Sequence, residues 1–586
     1  MTDMNMHRNQ IPDTLLLEER AAIAMNALVG VADEDYEYIP FFNGNFKDAP
    51  AYMTHGNWDF GSSHGRLVDA MALVRCMTGT TFGEDIERTY RKNLMSYFRK
   101  DGLSYRRNTF TDDVIEEHMA PFRESASMID QRAALMGVMS WFRATGDEAA
   151  KAAADRLCAG LARIARKERN AWYMPASEYM EDGWPSFDAV HTRLSPDPAA
   201  MWGRQVGPLT QWHALTGNRD AFDLAENFTN HILTRSGVFL PDGSFNGALE
   251  YRNGHFHTRM GTLSSLAAFG AFTHDADILS RIKKSFDWAL TQCTGFGWTP
   301  GDMHDQAYEH ETCTLVDAIA TAITLAENGY PELWAVAERF LRNHLTESQL
   351  LDVSWIKDLD TKEKDIPKQV TYYHVAERLR GAFSGYAAPN DFVYDGMWGR
   401  GHIMDVQTCC LGSGTRGLFL GWSSAVTERA GRVRVNLLLT RSTPWLDVRA
   451  FMPHEGKLEL VIHRDLPDLL VRIPEWTPYG GVSVTRSHGG ETLEATGRTL
   501  PWVEKVFLKL SAAKAGETIT ITFPMVRRVT TEKAVHLEYR TEWLGDDVVG
   551  IDPAGTYYPL YNRRKVFETA PMRAYGLTCS DGAAFR

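Results

Sequence analysis

One pattern recurs along the first two thirds of this chain and fixes most of what it can become. A long apolar helix ends near Gly or Asn, an acidic turn follows, and a second amphipathic helix begins. The junctions read MTGTTFGEDIERTY, RATGDEAAKAAADRL, LTGNRDAFDLAENF, FTHDADILSRIKKSF and ENGYPELWAVAERF, with Gly79, Gly146, Gly217, His274 and Gly329 as markers. The units recur every roughly 55 to 70 residues, longer than a simple solenoid repeat and suited to helical hairpins with long loops. Each junction has a residue able to take the left-handed C-cap and an acid at the start of the next helix. Five or more such hairpins closing into a ring give an α/α toroid.

Between the hairpins lie aromatic, Gly- and Pro-rich stretches such as FFNGNFKDAPAYMTHGNWDFGSSHG and CTGFGWTPGDMHDQAYEHE. Connections of that length and composition are usually functional. After about Trp422 the period changes to alternation. RVRVNLLLT, WLDVRAF, KLELVIH, LLVRIP, VSVTR, KVFLKL and ETITITF are short β-branched runs between Gly, Pro and Asp turns, the signature of a sandwich. Pro474 and Pro524 are expected to close strands. The predicted organisation is an N-terminal extension over 1–20, a helical toroid over 21–421 and a β-sandwich region over 422–586.

A chain of 586 residues is too long for a single core. Its formal charge of -13, with acids and bases interspersed, argues against nucleic acid or an anionic membrane as the main partner. The stretch from Met1 to Thr14 is polar where a secretory signal needs an apolar run, and no later apolar run is long enough to span a bilayer. A cytoplasmic location is expected. The 7 cysteines, an odd number without framework spacing, are then expected to be free. Cys76 and Cys158 sit within apolar helical patterns and read as small buried hydrophobes.

Two segments carry the chemistry: Tyr308-Glu-His-Glu-Thr-Cys-Thr314 and Thr408-Cys-Cys-Leu-Gly-Ser-Gly-Thr-Arg416. Inside a helix, Glu311 and Cys313 would not share a face, and on a strand adjacent Cys409 and Cys410 would diverge. At a loop-to-helix junction both pairs can converge. The helical pattern CTLVDAIATAITLAENG begins at Cys313, and RGLFLGW follows the second pair; helix N-termini also favour thiolates. Three thiolates and a carboxylate make a four-coordinate zinc site. The competing reading is a set of buried thiols beside an unrelated helix cap, because the C-x-x-C spacing of common zinc modules is absent.

Glu311-Thr312-Cys313, the Cys409-Cys410 pair followed by Arg416, and the downstream LLVRIPEW and GETITITFPM resemble the glycoside hydrolase family 127 β-L-arabinofuranosidases. The resemblance implies an (α/α)6 toroid or barrel followed by a C-terminal β-sandwich, and a zinc-dependent retaining glycosidase. It implies Glu311, Cys313, Cys409 and Cys410 as zinc ligands and Cys409 as the nucleophile. The family's acid, a Glu after Gly, is replaced here by Gly301-Asp302 in a shortened loop. Asp302 is the first candidate for the acid and Glu309 the second; a loop carboxylate or helix cap is the ordinary alternative for either. His257, at the head of a helix, His304, in the Asp302 loop, and Trp298 are the candidate sugar contacts, with Trp58, Trp184 and Trp398 as further loop aromatics. Where the family carries histidine in the hairpin ending at Gly146, this chain reads Asp130-Gln131-Arg132. The resemblance implies a β-L-arabinofuranosidase-like activity on short oligosaccharides or glycosides, and this departure leaves the identity of the sugar open. The expected partner is a small carbohydrate, with a homodimer as the assembly. A lyase or epimerase on the same toroid, and a non-catalytic carbohydrate-binding protein with a structural zinc, are the other readings.

Overall fold

The computed structural model describes residues 10–56, 59–106, 124–185, 199–246, 255–303, 310–362, 369–394, 405–489, 491–496 and 500–585. Among the described residues, twelve helices of eight residues or more alternate between an outer and an inner layer. They are α1 (Leu17–Gly30), α2 (His64–Thr78), α3 (Glu84–Ser96), α4 (Met128–Thr145), α5 (Glu148–Ile164) and α6 (Val206–Thr216), then α7 (Arg219–Thr234), α8 (Phe256–Thr273), α9 (Ala276–Leu290), α10 (Thr312–Glu327), α11 (Leu333–Phe340) and α12 (Thr408–Ala425). The even-numbered helices pack each on the next, α12 returns to α2, and each odd-numbered helix packs against an inner neighbour. The result is the expected toroid.

Sequence decides the layer. Outer α3 buries only Glu87, Tyr90 and Leu94, one stripe three to four residues apart, as a helix with a single partner should. Inner α2 is buried almost throughout, including His64, Arg66 and Asp69. The inner pair α2 and α4 crosses at Gly65, where an added Cβ would lie 2.2 Å from the Ala133 carbonyl oxygen. At the far end of each hairpin the marker residues do what the junction sequences predict. Gly79, Gly146, Gly217 and His274 cap α2, α4, α6 and α8 in the left-handed conformation. Asp147, Asn218 and Asp275 then accept backbone N–H bonds that start α5, α7 and α9, closing each turn from both sides. α10 ends one residue earlier, at Asn328, with Gly329 following.

Two boundaries differ from expectation: the last inner helix runs to Ala425, past the expected end at 421, and the first helix starts early. It begins at Leu17, inside the expected extension, because Leu17, Ala21, Ala24 and Leu28 form a buried helical stripe. Ahead of it, Gln10–Pro12 pairs antiparallel with Met572–Ala574, and Arg573 forks onto Glu19 at 2.8 and 2.9 Å, tying the two ends of the chain together.

The β region starts at Val426, directly after α12. A five-stranded sheet runs in the order Val426–Arg429, Arg432–Val435, Leu466–Arg472, Phe507–Ala513 and Trp502–Val503. A six-stranded sheet runs Arg441–Ser442, Leu446–Ala450, Lys457–Ile462, Thr518–Thr522, Ser483–His488 and Glu491–Thr496. Val433, Leu469 and Leu508 of the first share one core with Leu458, Leu460, Ile519 and Ile521 of the second. Two sheets closing on one core are a sandwich. Pro474 and Pro524 follow the ends of Leu466–Arg472 and Thr518–Thr522. A three-stranded sheet, Arg527–Ala534, Leu537–Leu544 and Asp547–Asp552, completes the region. Buried Glu338 of α11 couples the halves, accepting from Arg342 Nε at 2.6 Å and from the Leu438 N–H at 3.1 Å. Among the described residues no helix is long and apolar enough to cross a membrane.

Candidate active site

Because every inner-to-outer turn is short and every outer-to-inner connection is long, the N-termini of all the inner helices gather at one end of the toroid. Unpaired N–H groups and the helix dipoles make that end a positive field. Cys313 is the second residue of α10, and Cys409 and Cys410 are the second and third of α12. The preceding residues, Glu311 and Gln407, are extended, so each chain enters its helix straight and turns its first side chains toward the ring axis. Thr312 and Thr408 pin these starts, with hydroxyls donating to Ser384 O at 2.6 Å and to Phe41 O at 2.5 Å.

The three sulfur atoms lie within 4.8 Å of one another. Cys313 Sγ is 3.6 Å from Cys410 Sγ, which is 3.9 Å from Cys409 Sγ. Thiolates bound at 2.3 Å around a tetrahedral ion stand about 3.8 Å apart, so the trio fits a metal. Cys409 is 9% exposed against 1% for Cys313 and 0% for Cys410. That makes Cys409 the thiol closest to open space. Hydrogen bonding from Cys313 and Cys410 holds the Cys409 thiol well below its ordinary range against the cost of burial, with the Arg66 charge helping. Burial pushes Cys313 up to about 12 and Cys410 also well up. Cys409 is thus the member of the trio that ionises first.

Glu311 is buried beside the trio and accepts from two histidines, His255 Nε2 at 2.7 Å and His257 Nδ1 at 2.8 Å. These three form a second group able to hold a cation. Burial would raise the Glu311 pKa, but the two histidines outweigh it and hold it well below the ordinary range. His257 also faces Asp317 Oδ2 at 3.3 Å, and Arg204 Nη1 comes to 3.3 Å from its Nε2. Asp302 is 4% exposed and pairs through its backbone with His255, while the Phe256 N–H donates to Gly301 O at 3.0 Å. The loop with the expected acid is thereby stitched beside the histidine that holds Glu311.

The structure brings together Glu311, Cys313, Cys409, Cys410 and His257, with Asp302 alongside. Glu309 and His304 lie outside the described residues, as do Trp58 and Trp398. Trp298 is a correction. It is wholly buried in the main core and its indole N–H donates to Ala387 O at 3.3 Å, so it has no face to offer a sugar. Its Gly-flanked position mimics a loop aromatic, whereas the turn folds it inward. Trp184 is half-buried and hydrogen-bonded to Ile164 O at 2.9 Å.

The fold as a whole is shared with known enzymes. A GH127 β-L-arabinofuranosidase from Geobacillus stearothermophilus T6 superposes with a TM-score of 0.56 at 14% identity, over 92% of this chain and 80% of that one. A protein described as a glycoside hydrolase gives 0.58 at 13%, over 92% and 81%. Another GH127 β-arabinofuranosidase gives 0.56 at 14%, over 91% and 80%. This chain has the GH127 fold. No protein-family model and no curated protein matches the sequence.

Several groups around the thiols were not singled out from the sequence. Arg66, third residue of α2, donates to Cys313 Sγ at 3.8 Å. Ser413 accepts from Cys313 at 3.2 Å, and Gln407 Oε1 lies 3.8 Å from Cys409 Sγ. His255 had a local signal, standing two residues before His257. Asp317 had one as well, lying one helical turn after Cys313 and so on the same face. Arg66 and Arg204 had none.

Proposed function

We propose that the protein is a retaining glycoside hydrolase whose nucleophile is Cys409. The observation that carries this reading is the convergence of Cys409 with Cys313 and Cys410 at two helix N-termini, with Cys409 the most open. Cys409 Sγ attacks the anomeric carbon as the bond to the leaving oxygen breaks. Asp302, beside His255, gives that oxygen its proton. The Asp302 carboxylate then takes a proton from water, the water oxygen bonds to the anomeric carbon, and the carbon–sulfur bond breaks to return the thiolate. Two inversions give net retention. Glu309 is the competing acid.

Cys313, Cys409, Cys410 and Glu311 would hold zinc, whose contribution when bound is to keep the thiols ionised and fixed at neutral pH. His255 and His257 take one oxygen each of the Glu311 carboxylate, so as a ligand Glu311 would offer the ion the second lone pair of one of those oxygens. Those histidines then orient the ligand as outer partners of metal sites do. Arg66 supplies the remaining countercharge to the sulfurs.

The test is a screen of nitrophenyl furanosides and pyranosides on purified protein, with metal content measured in parallel and product anomers followed by NMR. Hydrolysis with retention, about one zinc per chain, and its loss in Cys409→Ser are expected. An inverted product would end the covalent mechanism. Protein prepared without chelators and free of metal would end the zinc assignment.

A further inference from the structure

Behind the thiols the toroid buries more guanidinium groups than it pairs. Arg66, Arg132 and Arg204 come from three successive inner segments: the first turn of α2, the second turn of α4, and the helical turn Gly203–Gln205 that leads into α6. Arg66 is 5% and Arg204 2% exposed, and the Arg132 side chain 12%. A guanidinium presents five N–H donors, and a buried one is normally engaged by most of them. Arg416 of the same ring shows the ordinary arrangement, a fork onto Asp69 at 2.8 and 2.6 Å.

The other three differ. Among the described residues Arg66 makes one hydrogen bond, to Cys313, and Arg204 makes one, to His257. Arg132 makes no hydrogen bond among the described residues; its nearest anion is Asp317 Oδ1, 3.9 Å away. The Nε of each of the three is buried without a hydrogen-bond partner among the described residues. Asp317 is the carboxylate that Arg132 and Arg204 share; His257 Nε2 stands 3.3 Å from its Oδ2, an oxygen that accepts no hydrogen bond among the described residues. The crowding is built in: at Gly261 of α8 an added Cβ would stand 2.6 Å from Arg204 Cδ and 2.7 Å from Asp317 Oδ2. Arg66 answers the sulfurs. Arg132 and Arg204 are left with one shared carboxylate and most of their donors unused.

Asp317 follows Cys313 by one helical turn of α10, further from the helix start than the thiols, and Arg132 and Arg204 gather at it. A sugar with its anomeric carbon at Cys409 and its leaving group toward the open end points its far side at them. A planar, delocalised fork matches an oxyanion far better than a hydroxyl. We propose that Arg132 and Arg204 recognise an anionic substituent on the sugar bound at Cys409, so that the substrate is an acidic glycoside, with a carboxylate as on a uronic acid or the equivalent sulfate ester. This rests on the glycosidase reading and adds the class of sugar to it.

The experiment separates the two. Calorimetry on the full-length protein compares glucuronate, galacturonate and glucose 6-sulfate with glucose and galactose, while turnover compares nitrophenyl uronides with nitrophenyl hexosides. Acidic sugars should bind at least about 10-fold more tightly than neutral ones, and Arg132→Gln should erase the difference, since one fork–oxyanion contact is worth about that factor or more. Arg132→Lys keeps the charge without the fork and should restore part of it. Tight binding of the sulfate ester alone keeps the anion site and assigns its source. Equal binding of acidic and neutral sugars by the wild-type protein overturns the proposal, whether or not the variants fold. Neutral glycosides hydrolysed without uronate or sulfate-ester binding would overturn it while sparing the glycosidase; uronate binding without hydrolysis of any glycoside would do the reverse.

Discussion

The two ends of the toroid are built from the same helices by opposite rules. At the end where α2, α4, α6 and α8 finish, each hairpin is closed by its own residues: a left-handed cap at Gly79, Gly146, Gly217 or His274, then an acidic or amide N-cap for three of the turns. The caps themselves are local, although Asn218 also donates to Asp155 Oδ1 at 2.7 Å and Arg143 to Phe585 O at 3.0 Å. At the other end almost nothing is local. Cys313 meets Cys410 across 97 positions of sequence, Arg66 meets Cys313 across 247, and His255 meets Glu311 across 56. One end is a set of independent turns and the other is a single shared site. Substitutions should therefore cost activity at one end and stability at the other.

The sharpest break in that division comes from the thiols. Cys409→Ser should abolish turnover on every substrate, including aryl glycosides with good leaving groups, a loss of about 10⁴-fold or more on the scale of other nucleophile deletions. Cys313→Ser should lower metal content and loosen the helix starts around Glu311. Cys76→Ser, on the same inner layer but half-buried and away from the site, should leave both metal content and activity near the wild-type values. Equal effects from Cys313→Ser and Cys76→Ser would show that the chemistry is not confined to the N-terminal end.

A smaller loss tests the loop beside the thiols. An acid matters most for a poor leaving group, so Asp302→Asn should lose natural glycosides by about 10²-fold or more while keeping much of its first-step rate on a nitrophenyl glycoside. Added azide should speed its second step by replacing water that lacks a base. If Glu309→Gln shows the leaving-group dependence instead, the acid is Glu309; if neither variant does, proton donation comes from elsewhere.

This contrast also explains what the sequence made legible. Hairpin turns and sheet alternation are local signals, so the toroid, most strands of the sandwich and the strand-ending prolines could be read in advance, whereas the three-stranded sheet over Arg527–Ala534, Leu537–Leu544 and Asp547–Asp552 was not singled out. The thiol site was legible for a different reason: cysteines beside helix starts are scarce enough to stand out one segment at a time. Arg66 and Arg204 could not be found that way, because a lone arginine near a helix start looks like any solvated one until the ring closes around it. Trp298 failed in the opposite sense, since its Gly-flanked loop sequence carries no sign that the turn folds it into the core. The first helix, placed too late, shows that a buried stripe can start in a segment whose polar residues dominate its composition.

The smallest effect tests the turn end alone. At Gly146 φ is +70°, and an added Cβ would meet nothing within 4 Å. Gly146→Ala therefore creates no clash and isolates the backbone penalty of a left-handed residue, about 1 kcal/mol, partly offset by the less flexible unfolded chain. His274 has the same role in the next-but-one hairpin without being glycine, at φ +55°, and its ring is exposed. There His274→Gly relieves strain and should stabilise by up to about 1 kcal/mol. The pair should shift the thermal midpoint in opposite directions by about one degree or less, below the small-domain slope because this chain is large. Neither should alter kcat or metal content, since no turn residue touches the thiol site. A change in kcat from either would mean that the two ends are coupled through the inner helices, and that the hairpins are less independent than their caps imply.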